Sequence, residues 1–277
     1  MNIREVKRIV NGYRTEDGAG VKLIRVLSNQ DVYDIDPFLM LDAFYSSNPD
    51  DYTAGFPMHP HRGIETITYL IEGQIDHEDS LGNAESLFSG QVQWMNSGSG
   101  ILHQEMPQAT PYMNGLQFWL NLPSKDKMSP PSYFPILEDM MKDIEIPGGK
   151  VRLIAGEFEG VEGVKPKYTK ANMSDVILEA NVSYDFQVPA ALNTFVYIVE
   201  GNAEFGEQAV RGKAHDAVIF EDGDVIRVKV GADGIRFILL SGEPIGEHVA
   251  WAGPIVMNTQ EELRTAFREL EHGTFIK

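Results

Sequence analysis

The chain contains no cysteine. Disulfides and thiolate chemistry are therefore excluded, and any metal must be held by nitrogen and oxygen. Basic residues are scarce, with 23 Lys and Arg against 41 Asp and Glu and a formal charge of -18. Such a surface repels phosphate backbones and anionic lipid, so no direct nucleic-acid or membrane partner is expected. No apolar run approaches the roughly 20 residues needed to span a bilayer. The start, Met1-Asn2-Ile3-Arg4-Glu5-Val6-Lys7, lacks the apolar stretch and small-residue cleavage site of an export signal, so a cytoplasmic setting is expected.

What is present is ample material for a core. Apolar residues make up 43 % of the 277 positions and 10 % are aromatic, which suits one large domain or two modest ones. Short stretches such as Ile67-Thr68-Tyr69-Leu70-Ile71, Phe195-Val196-Tyr197-Ile198-Val199 and Phe237-Ile238-Leu239-Leu240 are rich in β-branched and aromatic residues. Glycine-containing turns separate them at short intervals, the pattern of a sandwich or barrel. The proline-rich stretch from Pro123 to Lys150 reads as a connection, with a short helix around Leu137 to Lys142. A second helix is signalled near the end. Thr259 and Glu262 form a capping box, Leu263, Phe267 and Leu270 share a face, and Gly273 supplies a stop.

Thr66-Ile67-Thr68-Tyr69-Leu70-Ile71-Glu72-Gly73 recurs as Thr194-Phe195-Val196-Tyr197-Ile198-Val199-Glu200-Gly201. One copy in each half of a β-rich chain points to duplication of a single barrel. The fold class expected is all-β, two tandem barrels with a C-terminal helix, divided as residues 1–131 and 132–277. At the offset of the repeat, His59, His61 and Glu65 correspond to Gln187, Pro189 and Asn193, so only the first half is expected to bind metal.

His59-Pro60-His61 enters the first repeated strand. Residues two apart on an extended chain point to the same side, so both imidazoles can face one ion, and Pro60 restricts the backbone between them. His103-Gln104-Glu105 repeats that spacing. On neighbouring strands the two pairs would converge as four ligands. Three imidazoles and a carboxylate suit Fe(II), Ni, Mn, Co or Cu, and zinc is also admissible. On an octahedral ion they leave two positions open. Glu65 reads as a hydrogen-bond partner that orients an imidazole, His77 as a local hydrogen-bonding residue, and Arg62 as the partner of a carboxylate. His215, His248 and His272 have no companions at ligand spacing. Adjacency to these motifs nominates Phe56, Trp94, Met95, Met58 and Met106 as pocket walls.

His59-x-His61-x-x-x-Glu65 followed by a strand ending at Gly73 resembles the first motif of the cupin superfamily. Gly90 to His103 resembles the second, with Asn96-Ser97-Gly98 replacing the usual proline-x-glycine and one extra residue before the histidine. Asp36-Pro37-Phe38-Leu39-Met40-Leu41-Asp42, His59-Pro60-His61-Arg62-Gly63, Val92-Gln93-Trp94-Met95, Gly115-Leu116-Gln117-Phe118-Trp119 and Gly242-Glu243-Pro244-Ile245 are similar to stretches of pirins, the two-cupin family. The resemblance implies jelly-roll-like cupin barrels and one divalent metal, usually Fe(II), on His59, His61, His103 and Glu105. It also implies one of two functions. The first is quercetin (flavonol) 2,3-dioxygenase chemistry with O2, in which Glu105 takes the substrate proton. The alternative is a metal- or redox-sensing protein that regulates a partner protein.

Overall fold

The computed structural model describes residues 2–277, most of them in β-strands. They form two compact units that interleave along the chain. The first comprises Tyr13–Asn29, Phe38–Glu138 and Ile245–Lys277; the second comprises residues 2–12, Gln30–Pro37 and Asp139–Pro244. The expected cut between 131 and 132 is contiguous, whereas these units are not, and strand pairing shows why. Ser132–Ile136 pairs with Val92–Asn96 and stays in the first unit, while Val6–Asn11 pairs with Asp216–Phe220 in the second. The stretch expected as a connection is accordingly mostly structured. Strands Ser132–Ile136 and Lys142–Ile146 flank a single 3-10 turn at Glu138–Met140.

In the first unit seven antiparallel strands run side by side in the order Ser132–Ile136, Val92–Asn96, Ile64–Glu72, Met113–Asn121, Phe38–Ser46, Val21–Leu27 and Tyr13–Asp17. A smaller sheet has the order Phe56–His61, Ile101–Pro107, Gln74–Asp79 and Ala84–Phe88. Apolar residues of the two sheets, including Val21, Leu23, Phe44, Leu70, Ile75 and Leu87, form one buried cluster. Burial of that apolar area is what holds the sheets together.

The second unit is built on a nine-stranded sheet with its own larger core. The sequence repeat lies in the centre of each large sheet. Ile67 stands between Trp94 and Phe118, and Phe195 between Ile219 and Leu240. One step on, Thr68 stands between Gln93 and Gln117, and Val196 between Val218 and Leu239. Duplication thus extends from the residues to the pairing register, while chemistry diverges within it.

The terminal helix Gln260–Glu271 begins with the reciprocal Thr259–Glu262 capping box and ends at Gly273, whose φ of 67° suits glycine. It buries Leu263 and Ala266 against Ala250, Ile255, Met257 and Phe275. Phe267, expected on the same face, is instead 37 % exposed. The 100° step per residue centres the buried stripe on Ala266, one position earlier. Among the described residues no helix is long and apolar enough to cross a membrane.

Candidate metal centre

The two ligand pairs lie on adjacent antiparallel strands of the smaller sheet. His103 is the register partner of His59, and Ile101 that of His61. The three histidine rings converge, with centroids 4.3 to 5.0 Å apart and ligand atoms all within 4.8 Å of one another. His61 and His103 are buried, His103 completely, and His59 is half-buried.

Hydrogen bonds fix the tautomers. His59 Nδ1 lies 2.9 Å from the carbonyl oxygen of Pro57, and His61 Nδ1 lies 3.0 Å from that of Pro254. A carbonyl only accepts, so both Nδ1 atoms carry the proton and both neutral rings present a bare Nε2. These two Nε2 atoms face each other at 3.1 Å, so with both rings neutral two lone pairs meet there. That is close to the separation of two nitrogens sharing one ion at roughly 2.1 Å. His103 sharpens the point, since neither of its buried ring nitrogens has a hydrogen-bond partner among the described residues. A shared cation satisfies all three rings, so the residues fit a metal ion. Burial, with His59 close by, pushes His61 down to about 3 against the opposing bond to Pro254. Burial and the neighbouring rings also hold His103 well below its ordinary value. Both rings are thus kept neutral, the form that coordinates.

Glu105 is not among the three residues whose ligand atoms cluster. Its carboxylate is buried beside them, with Oε1 accepting from Thr68 Oγ1 at 2.9 Å and from Gln93 Nε2. Thr68 also bonds Gln117 at 2.7 Å. Glu65 is buried in the large sheet, opposite Asn96 and Leu120, outside the three-histidine group. His77 bonds Asp79 at 3.1 Å, as a local hydrogen-bonding residue should, and also stacks on Tyr133. Arg62 pairs with Glu269 at 2.7 Å, and its other nitrogens bond the carbonyls of Ser99 and Phe275. His215, His248 and His272 bond Tyr197, Asn258 and Arg268 respectively.

Lys127 was not singled out by any sequence signal. Its buried ammonium donates to the carbonyls of Gly63 and Val256, each at 2.9 Å, and to Asn121 Oδ1 at 2.7 Å. It thereby ties the chain two residues beyond His61 to the chain two residues beyond Pro254. Burial lowers its pKa to about 7, with Glu247 and Glu262 acting in the opposite direction.

His59, His61 and Glu105 open onto a cavity of about 660 Å³, lined also by Phe56, Trp119 and Trp251. Trp94, Met95, Met58 and Met106 do not line it. Strand alternation explains Met106 and Trp94, each next to an inward-facing residue and so turned to the opposite side. The same parity was available to find Trp119, two positions beyond the cavity-lining Gln117.

Two units related by duplication, one of them carrying three converging histidines, define a bicupin with a candidate metal centre in one barrel. Family models make this more particular. The Pirin model matches residues 20–120, and the Pirin C-terminal cupin domain model matches residues 173–276. The chain belongs to the pirin family. It is 40 % identical to "Putative quercetin 2,3-dioxygenase PA3240" of Pseudomonas aeruginosa, over 98 % of this chain and 97 % of that one. It is also 40 % identical to a "Pirin-like protein" of Caulobacter vibrioides, over 99 % and 100 % of the two chains. The crystal structure of quercetin 2,3-dioxygenase from Acinetobacter baumannii superposes with a TM-score of 0.90 at 28 % identity, covering 99 % of this chain and 100 % of that one.

Proposed function

We propose that the protein is a cytosolic metal-dependent dioxygenase that opens a flavonol-type phenolic substrate with O2. In this reading His59, His61, His103 and Glu105 hold one divalent ion, with Fe(II) the first choice and Ni, Mn, Co, Cu or Zn as alternatives. The observation that carries it is the facing pair of unprotonated Nε2 atoms beside a buried carboxylate, at the edge of an aromatic-lined cavity.

When bound, such an ion supplies Lewis-acid stabilisation of a phenolate and a meeting point for substrate and dioxygen. The protein supplies the rest. Glu105 accepts the proton of the substrate hydroxyl, because its buried carboxylate lines the cavity on the strand that carries His103. Thr68 and Gln93 occupy one of its oxygens and leave Oε2 to act as base and as ligand in turn. Trp119, whose ring meets that of His61 edge-on at 5.1 Å, gives a flat substrate an apolar wall and excludes water.

The test is aerobic incubation of metal-loaded protein with quercetin, following the loss of its visible absorbance. Turnover that disappears in both His61→Ala and Glu105→Ala supports the reading. Inactivity with every first-row divalent metal overturns it.

A further inference from the structure

The register of the large sheet sets six side chains in one lateral row, Tyr13, Arg25, Asp42, Gln117, Thr68 and Gln93. Lateral neighbours in register share a face, and all but Gln93 line the cavity. The inner end of the row reaches Glu105 through Thr68 and Gln93. At the outer end Arg25 forks onto Asp42 at 3.0 and 2.7 Å and reaches Asp17 at 2.7 Å. The equivalent row of the second unit reads Lys142, Leu153, Ser174, Leu239, Val196 and Val218. The same scaffold therefore carries a mostly apolar row, charged only at its outer end, where there is no histidine cluster. The polar row is thus a feature of the unit that carries the histidines and the cavity.

We infer that Arg25, Asp17 and Asp42 form a second subsite of this cavity, which reads substrate hydroxyl groups other than the one presented to the metal centre. This rests on the flavonol-type reading above and specifies its substrate. Three facts about the subsite give the chemistry. Nη1 of Arg25 has no hydrogen-bond partner among the described residues, since its bonds run through Nε and Nη2. Asp17 is half exposed, and its Oδ2 has lone-pair capacity beyond the bond to Arg25. Two carboxylates stand against one guanidinium, so a carboxylate or phosphate on the ligand is repelled while a phenolic O–H finds both acceptor and donor. Three strand spacings separate Arg25 from Thr68, roughly 14 Å along the sheet. That length of wall suits a multi-ring polyphenol lying along the sheet, and Met40 and Phe44 line the cavity along with it.

The experiment is equilibrium binding to the Zn(II)-loaded protein without turnover, read by quenching of tryptophan fluorescence. The probes are 3-hydroxyflavone and the same compound carrying two more hydroxyls on its pendant ring. Wild type is expected to bind the more hydroxylated flavone about tenfold tighter, the worth of one good hydrogen bond to a charged group. In Asp17→Ala that preference should fall to within about twofold, with affinity for 3-hydroxyflavone unchanged. Arg25→Lys, which keeps the charge over Asp42 but loses the fork, should do the same. Equal affinity of wild type for both flavones, or a preference kept in both variants, overturns the subsite alone. Binding of neither flavone to metal-loaded protein overturns the flavonol reading itself, and the subsite with it.

Discussion

His61 Nδ1 lies 3.0 Å from the carbonyl oxygen of Pro254, a residue 193 positions further along the chain. This contact decides which ring nitrogen of His61 is free, and with the equivalent bond from His59 to Pro57 it leaves two bare nitrogens facing one point. Removing one of them should therefore cost most of the metal affinity. His61→Ala is expected to weaken Zn(II) or Ni(II) binding by at least about a hundredfold, more than the 10- to 100-fold typical of residues that only orient a ligand. Competition with a chromophoric chelator measures this. Metal should also raise the unfolding temperature of wild type and not that of the variant; equal stabilisation of both would remove His61 from the ligand set.

The row that carries Glu105 gives a second expectation. Thr68→Val and Gln93→Leu bring into the first unit apolar side chains of the kind the second has at the corresponding positions, Val196 and Val218. The variants should fold, because that row packs well without polar groups. They leave a buried carboxylate short of donors, however, and each should lower stability by about 1–3 kcal/mol. Metal affinity should fall about tenfold as Glu105 loses its fixed orientation. Urea unfolding and metal titration are the two readouts. Thr68→Ser, which keeps the hydroxyl, should restore both; variants with wild-type metal affinity would show that Thr68 and Gln93 do not position the carboxylate for the ion.

These residues also mark where the sequence stopped being legible. His59, His61 and His103 declared themselves by spacing, and the repeat by identity, because both are local patterns. Thr68 gave no such signal. In Thr66-Ile67-Thr68-Tyr69 the usual alternation assigns the threonines to solvent, yet Thr66 and Thr68 are as buried as Ile67 and Tyr69. Both faces of this strand are covered, so polarity no longer reports direction. Only the cross-strand register, which sequence does not display, shows that Thr68, Gln93 and Gln117 are neighbours. Lys127 is hidden for the same reason, since a lysine is read as exposed by default. The interleaving of the units was equally invisible, because composition near Gly12 or Ile245 does not change where the chain passes from one unit to the other.

Gly63 offers a conformational test. Its φ is +78°, in the left-handed region, and a Cβ there would strike the carbonyl oxygen of Val256. The same glycine gives its own carbonyl to Lys127. Gly63→Ala therefore combines backbone strain with a main-chain clash that no rotamer relieves, and about 2–4 kcal/mol of stability should be lost. Since Gly63 follows His61 by two residues, metal affinity should fall together with the unfolding midpoint. Gly82, which has a positive φ but open space around it, is the control, and Gly82→Ala should lose no more than about 1–2 kcal/mol with metal binding unchanged.

Lys127 gives the expected pH dependence. Burial lowers its pKa from the ordinary 10.5 to about 7. Between those values the unfolded chain carries a proton that the folded chain lacks, so stability should rise as pH climbs from about 7 to about 10. Below about 7 both states are protonated and the fold bears the full cost of burying an ammonium group. The gain across the window should be about 3 kcal/mol, somewhat under the full value of the shift, because the carbonyls of Gly63 and Val256 and the amide oxygen of Asn121 hold the ammonium better than a neutral amine. Urea unfolding of wild type and Lys127→Met at pH 7 and 10 isolates the effect, since every other titrating group is common to both proteins. The methionine variant should lack this part of the gain. Parallel profiles in the two proteins would mean that the three oxygens keep Lys127 charged throughout, and the junction behind His61 would then be an ion held by main-chain dipoles.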